Sequence, residues 1–405
     1  MALKKLLNKG TVYKRSDNRW GGMVSYHDEQ GVYRRKSFCA PTKKAVLKKI
    51  GDYIEFFKME IAEADETKKP LRKSMQKWLE VFQYGTVERA TYDRKEDCAK
   101  HYIYPRIGDM IISEITSADL NGILTQMMNE GYSHSTVKHV YSLFKEYFRY
   151  LCYEEHIPKN PMAYVRMIKK ANFLAAQGRE IIARSDAVTV LNDEEIRRLR
   201  EAVFTRNRKG ALKHQQAAAY LLMLNTGLRT GEVLGLLYSD IVLDKRELSV
   251  TRAVKEVGKR DKDGAACGTE LIVGGMKTAA SKRTIPLNST AIEMILILRT
   301  DRYFGADSPL ISNQVGDFTR PSTFRSRWYT LLDFAGISHK GLHSLRHTFA
   351  TRLINGVEDE NGNLKTLTVR QVADLLGHTT SSVTEKYYVR REPNKLCGIT
   401  DEFEL

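Results

Sequence analysis

Residues 343–388 confine the possible folds more than any other part of the chain. They open with His343, Ser344, Leu345, Arg346 and His347 and pass through Leu375, Leu376, Gly377 and His378. Nine residues after His378 they reach Tyr387, followed by Tyr388. Leu342, Leu345, Phe349 and Leu353 recur at helical spacing, so a helix through His343 puts His343 and Arg346 on one face. Gly377 follows Val372, Leu375 and Leu376 as a helix-ending residue, leaving His378 in the turn beyond. A hydroxyl at Ser381 or Ser382 can cap a fresh helix that carries Tyr387 about two turns on. The chemistry suits an anion. A guanidinium can clasp two phosphate oxygens, and an imidazole can donate to a third or manage a proton.

The net charge points the same way. With 65 Lys and Arg against 49 Asp and Glu, the chain carries +16 at neutral pH, a surplus that favours a polyanionic partner, nucleic acid foremost. At 405 residues there is enough chain for two or three cores. Cys39, Cys98, Cys152, Cys267 and Cys397 are scattered, odd in number and form no CxxC pair, which reads as reduced thiols in a cytoplasmic protein. No apolar run approaches the ~18 residues of a membrane span, and residues 1–9 lack the apolar region and cleavage site of a signal peptide.

Taken with the earlier Thr226, Gly227, Leu228, Arg229 and Glu232, these motifs resemble those of the tyrosine recombinases, and among them the integrases of conjugative transposons and temperate phages. An HxxR alone would be weak; four ordered motifs between Arg229 and Tyr387 are specific. The resemblance implies that Arg229 and Arg346 clamp the scissile phosphate, that His343 and His378 donate to it or assist proton transfer, and that Tyr387 is the nucleophile. It also implies a lysine on a β-hairpin as general acid. Lys277 is the choice, within Lys277, Thr278, Ser281, Arg283, Ile285, Pro286 and Leu287, and Lys282 is its rival. Residues 258–268 lengthen this hairpin and blur its register. Glu232 either orients Arg229 or makes an exposed helical pair. Tyr388 competes with Tyr387, but neighbouring helical residues point about 100° apart. His343 and His347 could pass for a zinc pair, yet Ser344 stands where a metalloprotease has Glu. Neither metal nor cofactor is implied.

The fold class expected is multidomain and mainly α, with small β elements. Residues 1–65 form a three-stranded sheet backed by a helix over 42–64. Residues 1–60 hold 14 Lys and Arg against 6 Asp and Glu, and by resemblance this is an arm-type DNA-binding domain with Arg34, Arg35 and Lys36 as contacts. Residues 71–162 form a helical core-binding domain. Its helix over 135–154 has a core stripe of Val137, Val140, Tyr141, Phe144, Tyr147, Phe148 and Leu151, and it turns Lys138, Lys145 and Arg149 outward toward DNA. A linker over 163–190 with Arg166, Lys169, Lys170, Arg179 and Arg184 runs along a phosphate backbone. The catalytic domain, 191–392, opens on a helix cap at Leu191, Asn192 and Asp193 and includes a β insert over 248–287. A tail over 393–405 packs against a neighbouring subunit by resemblance.

The function expected is integration and excision of a mobile element, through a 3′ phosphotyrosine and a Holliday junction. Partners implied are double-stranded DNA, a homotetramer in the synaptic complex, an excisionase and a host DNA-bending protein, with no membrane and a nucleoid location when acting. The rival readings are a type IB topoisomerase and a DNA-binding protein without catalysis.

Overall fold

The computed structural model describes residues 5–6, 10–28, 32–179, 189–261, 266–275, 282–358, 364–378 and 380–388. The chain forms two compact units, Met1–Ile181 and Ile182–Leu405.

The first unit begins with an antiparallel sheet in which β3 (Trp20–His27) pairs with β2 (Thr11–Lys14), with β4 (Tyr33–Ala40) and with the two-residue β1 (Lys5–Leu6). The three expected strands are there, and β1 adds a short edge. Helix α1 (Lys43–Ala64) covers one face. Val24, Ala40, Val46 and Ile50 form the core. Gly22 permits the close approach, since a Cβ there would lie 2.6 Å from Ile50 and 2.7 Å from Val46. A second core is built from α2 (Leu71–Trp78), α3 (Arg89–Cys98), α4 (Tyr104–Ile107), α5 (Ser117–Asn129) and α6 (His134–Tyr153). Ser133 caps α6, and Val137, Val140, Leu143, Phe144, Tyr147, Phe148 and Leu151 form its buried stripe. Tyr141 is only partly buried, and Leu143 takes a core place instead. The start of the expected linker is folded: α7 (Lys170–Ala176) buries Phe173 against the ring of His134 at 5.1 Å.

The second unit opens at α8 (Asp193–Phe204), capped by Asn192 in a reciprocal box with Glu195. Its centre is α9 (Ala218–Thr226), buried on nearly all sides. The short α10 (Thr230–Gly235) follows. The β insert divides into two. β5 (Ile241–Val242), β6 (Glu247–Val250) and β9 (Arg283–Pro286) make one sheet, whereas β7 (Arg252–Arg260) and β8 (Ala266–Gly275) make a separate long hairpin. The strand at Arg283 therefore pairs with β6, not within the hairpin. α10 lies directly on β7, because a Cβ on Gly231 would stand 2.8 Å from the Val254 carbonyl. Helices α11 (Ser289–Asp301), α12 (Pro321–Ala335) and α13 (His343–Asn355) follow. After them come the strand pair β10 (Val357–Glu358) and β11 (Leu364–Lys365), then α14 (Val369–Leu376) and α15 (Ser381–Tyr388). Trp328, Phe324, Tyr220 and Leu345 belong to one large core. Among the described residues no helix is long and apolar enough to cross a membrane.

Candidate functional site

Helix α13 begins at His343 and buries Arg346 to 1 % exposure. A guanidinium so deeply placed needs acceptors, and it has them. Nη1 donates to the Gly227 carbonyl at 2.7 Å, and Nη2 donates to the Leu376 carbonyl at 2.8 Å and to Nε2 of His378 at 2.9 Å. Each acceptor follows from a local rule. Gly227 ends α9 at φ 64°, in the left-handed region, and a Cβ there would meet Phe349 at 2.5 Å, so only glycine fits. Gly377 ends α14 in the same way at φ 67°. The Gly377 and His378 N–H groups bond back to the Asp374 and Ala373 carbonyls, which folds His378 onto Arg346. Arginine has donors only, so Nε2 of His378 accepts and Nδ1 carries the proton. Nδ1 donates to Oγ1 of the buried Thr384 in α15 at 2.8 Å.

Arg229 is the N-cap residue of α10. Its N–H donates to Oε2 of Glu232 at 2.9 Å and its Nη1 to Oε1 at 2.7 Å. Unlike Arg346 it remains 37 % exposed, open to an incoming ligand. Glu232 is buried, and it also receives Arg283, whose Nη2 reaches Oε2 at 2.9 Å and whose Nη1 reaches Oε1 at 3.3 Å. The Nε of Arg283 donates to the Leu375 carbonyl at 2.8 Å. Burial alone would raise the Glu232 pKa, but Arg283 and then Arg229 outweigh it and hold the carboxyl at about 2.

The imidazoles are held neutral. Packing, followed by the charges of Arg346 and Arg229, lowers His378 to about 4; packing, His343 and Arg346 lower His347 to about 4 as well. His343 keeps an exposed edge, yet packing beneath it and the same two arginines also lower its pKa. His343 and His347 stack edge to face with centroids 4.4 Å apart. Among the described residues no group of three His, Cys, Asp or Glu is placed to hold a metal ion.

A pH dependence follows from these shifts. The ordinary histidine value is near 6.5 and the folded values of His378 and His347 are lower, so the unfolded chain takes up protons first on acidification. Their contribution to stability is complete above pH 6.5 and is lost as pH falls toward about 4, on the order of 2 kcal/mol per group. Thermal melts are expected to show Tm falling across that window, and a flat Tm between pH 6.5 and 4.5 would refute it.

The structure thus brings Arg229, His343, Arg346 and His378 together. Tyr387 lies on α15, the helix whose Thr384 bonds His378, though its own side chain is outside the described residues, as is all of Lys277. Residues 189–395 match the model of the phage integrase family. The chain belongs to this family.

A second match, to the N-terminal SAM-like domain of phage integrases, covers residues 71–128. Family relatives include a "tyrosine recombinase XerC-like" protein of Caldanaerobacter subterraneus subsp. tengcongensis, 28 % identical and covering 91 % of each chain. Another is the integrase of Mycobacterium phage L5, 26 % identical over 80 % of this chain and 76 % of that one. Among solved structures, the Tn1549 transposon integrase in complex with a circular intermediate DNA matches with TM-score 0.62, at 18 % identity, over 82 % of this chain and 99 % of that one. A lambda integrase dimer bound to a core site gives 0.54, at 18 % identity, over 94 % and 95 %. The chain is therefore a tyrosine-type site-specific recombinase by family, with an integrase-like fold.

The expected DNA contacts of this integrase-family chain are less uniform than they read in sequence. Side chains alternate along β4, so Arg34, Arg35 and Lys36 do not share a face. Lys36 pairs with Val24 and Arg34 with Tyr26, on the side that carries α1, while Arg35 pairs with Ser25 on the opposite side. Arg34 is bound to Asp28 at 2.9 Å. Arg35 donates to the Tyr33 hydroxyl at 2.7 Å and stands 5.1 Å from that ring's centre. Lys138, Lys145 and Arg149 do line one exposed stripe of α6. Sequence reasoning gave no role to Arg283 or Thr384. The first could have been suspected from an arginine opening an Ile-Pro strand; the second gives no signal, because its partner is six residues back, before the start of α15.

Proposed function

We propose that this recombinase integrates and excises a mobile element by sequential strand exchange. The Tyr387 phenol oxygen attacks the scissile phosphorus, the bond to the 5′ oxygen breaks, and a 3′ phosphotyrosine forms. The phenol's proton leaves to a neighbouring base, and Lys277 protonates the departing 5′ oxygen. A 5′ hydroxyl of the partner duplex then attacks the phosphotyrosine and releases Tyr387, so the phosphoester bond is conserved and no external nucleotide is consumed. Arg229 and Arg346 offset the charge on the five-coordinate phosphorus, and His343 and His378 bond its oxygens. What supports this reading is the convergence of both arginines and His378 beside the helix that carries Tyr387. Exchange through a Holliday junction would engage four protomers, as in the lambda integrase tetramer bound to such a junction. In this reading 1–65 grips arm-type sites, 71–162 and 191–392 clasp the crossover site, 393–405 contacts a neighbour, and an excisionase and a host DNA-bending protein set direction.

The test is covalent trapping. The protein is incubated with nicked duplexes from its element's ends, with chelator present, then denatured. A protein–DNA adduct mapping to Tyr387 is expected; salt-sensitive binding with no adduct on any end would overturn the reading. The α6 stripe makes a separate prediction. Replacing Lys138, Lys145 and Arg149 together by Ala should reduce the slope of log affinity against log salt by roughly 2–3. An unchanged slope would remove α6 from the DNA interface.

A further inference from the structure

Two contacts of Arg283 reach the two halves of the arginine pair at once. Its fork holds both oxygens of Glu232, and Glu232 holds the backbone and guanidinium of Arg229. Its Nε holds the Leu375 carbonyl, and the next carbonyl, Leu376, holds Arg346. These are the last carbonyls of α14, which have no partner within the helix and attract cations. The path then closes, because Arg346 also holds the carbonyl of Gly227, two residues before Arg229. Arg229, Glu232, Arg283, the end of α14, Arg346 and Gly227 form a ring of contacts. Arg283 is its link between α10 and α14, at 6 % side-chain exposure.

We propose that Arg283 is a positioning residue that sets Arg229 and Arg346 in register for one phosphate; this rests on the recombinase reading above. The contacts of Arg283 to the arginine pair run through Glu232 and the end of α14. It acts by fixing the carboxylate that aims Arg229 and the helix end that aims Arg346 and His378. A lysine cannot replace it, since one ammonium cannot grip both carboxylate oxygens and the Leu375 carbonyl in a planar fork. Loss of Arg283 should therefore weaken the offsetting of phosphate charge and leave DNA affinity intact.

The experiment uses the full chain, the nicked duplex on which the parent forms adduct, and a second duplex with a methylphosphonate at the scissile position. That group is neutral at the oxygen the clamp would otherwise offset. Single-turnover adduct rates are measured for the parent, Arg283→Met, Arg283→Lys and Arg229→Ala, together with Kd for DNA and Tm. On the phosphodiester, Arg283→Met is expected to be slower by about 100-fold, the scale of losing one preorganised donor, with Kd unchanged. On the methylphosphonate its deficit should shrink at least about tenfold, as for Arg229→Ala, because the charge to be offset is gone. Arg283→Lys should show a smaller deficit that shrinks in the same way, and it decides the matter if Arg283→Met does not fold. Parent-like rates in both variants, or equal deficits on the two duplexes, would overturn the proposal, the latter leaving a structural role alone. If the parent itself forms no adduct, the recombinase reading has failed first.

Discussion

A Tyr387→Phe variant is expected to bind duplex DNA within about twofold of the parent and to form no covalent adduct at all. The adduct is an ester of the phenol oxygen, so removing that one atom removes the bond-forming partner while the arginines, imidazoles and basic surfaces stay in place. The effect should exceed that of any other single change, because a weakened clamp slows attack whereas an absent nucleophile ends it. Tyr388 is the next position on α15, and neighbouring helical positions are set about 100° apart, so it should not substitute. A phenol with a pKa near 10 is mostly protonated at neutral pH, and its attack requires the cationic field to be intact; Arg229→Ala should therefore slow adduct formation without weakening binding comparably. Denaturing gels with labelled duplex read both outcomes. An adduct that survives Tyr387→Phe and vanishes in Tyr388→Phe would move the nucleophile by one residue.

Glu232→Ala should produce the largest loss of stability. It strands the Arg283 guanidinium in a buried place with only part of its acceptors, and breaking a buried pair from one side costs on the order of 3–5 kcal/mol. For a unit of this size that is a Tm lowered by about 10 °C. The acid limb gives an independent check. Glu232 has a folded pKa of about 2 against an ordinary 4.5, so the stability it contributes, on the order of 3 kcal/mol, is present above pH 4.5 and lost as pH falls toward 2. Glu232→Gln should flatten that limb while costing less at pH 7. A Glu232→Ala protein that melts within a degree of the parent would show that the ion pair contributes no net stability.

What the sequence made legible was local. The stripe of α6, the cap at Asn192, the glycine ends of α9 and α14, and the helix start near Ser381 all rest on neighbours within a turn or two. Arg229, His343, Arg346 and His378 were legible as a set because four motifs lay in order, although no spacing stated that Arg346 would hold Gly227 and Leu376. Illegible contacts were the distant ones. Arg283 meets Glu232 across 51 residues and Leu375 across 92, and nothing in its surroundings announces either. The β insert misled for a related reason, since the hairpin strands β7 and β8 and the β6–β9 pairing draw on equally suitable apolar residues. Arg34, Arg35 and Lys36 read as one basic patch in sequence, and the pleat divides them.

The contact between His378 and Arg346 makes the site respond to its own occupancy. At rest the imidazole lone pair is spent on a guanidinium N–H, and packing, reinforced by the surrounding cations, keeps it from taking a proton. In the proposed reaction a phosphate oxygen competes for that same N–H and brings negative charge of its own. Displacement would free Nε2 just as the local potential turns to favour its protonation. By linkage, DNA bound in the reactive register should take up a proton that loosely held DNA does not. The buffer's ionisation enthalpy would then appear in the heat of productive docking alone, which makes proton uptake a calorimetric signature of an engaged crossover site.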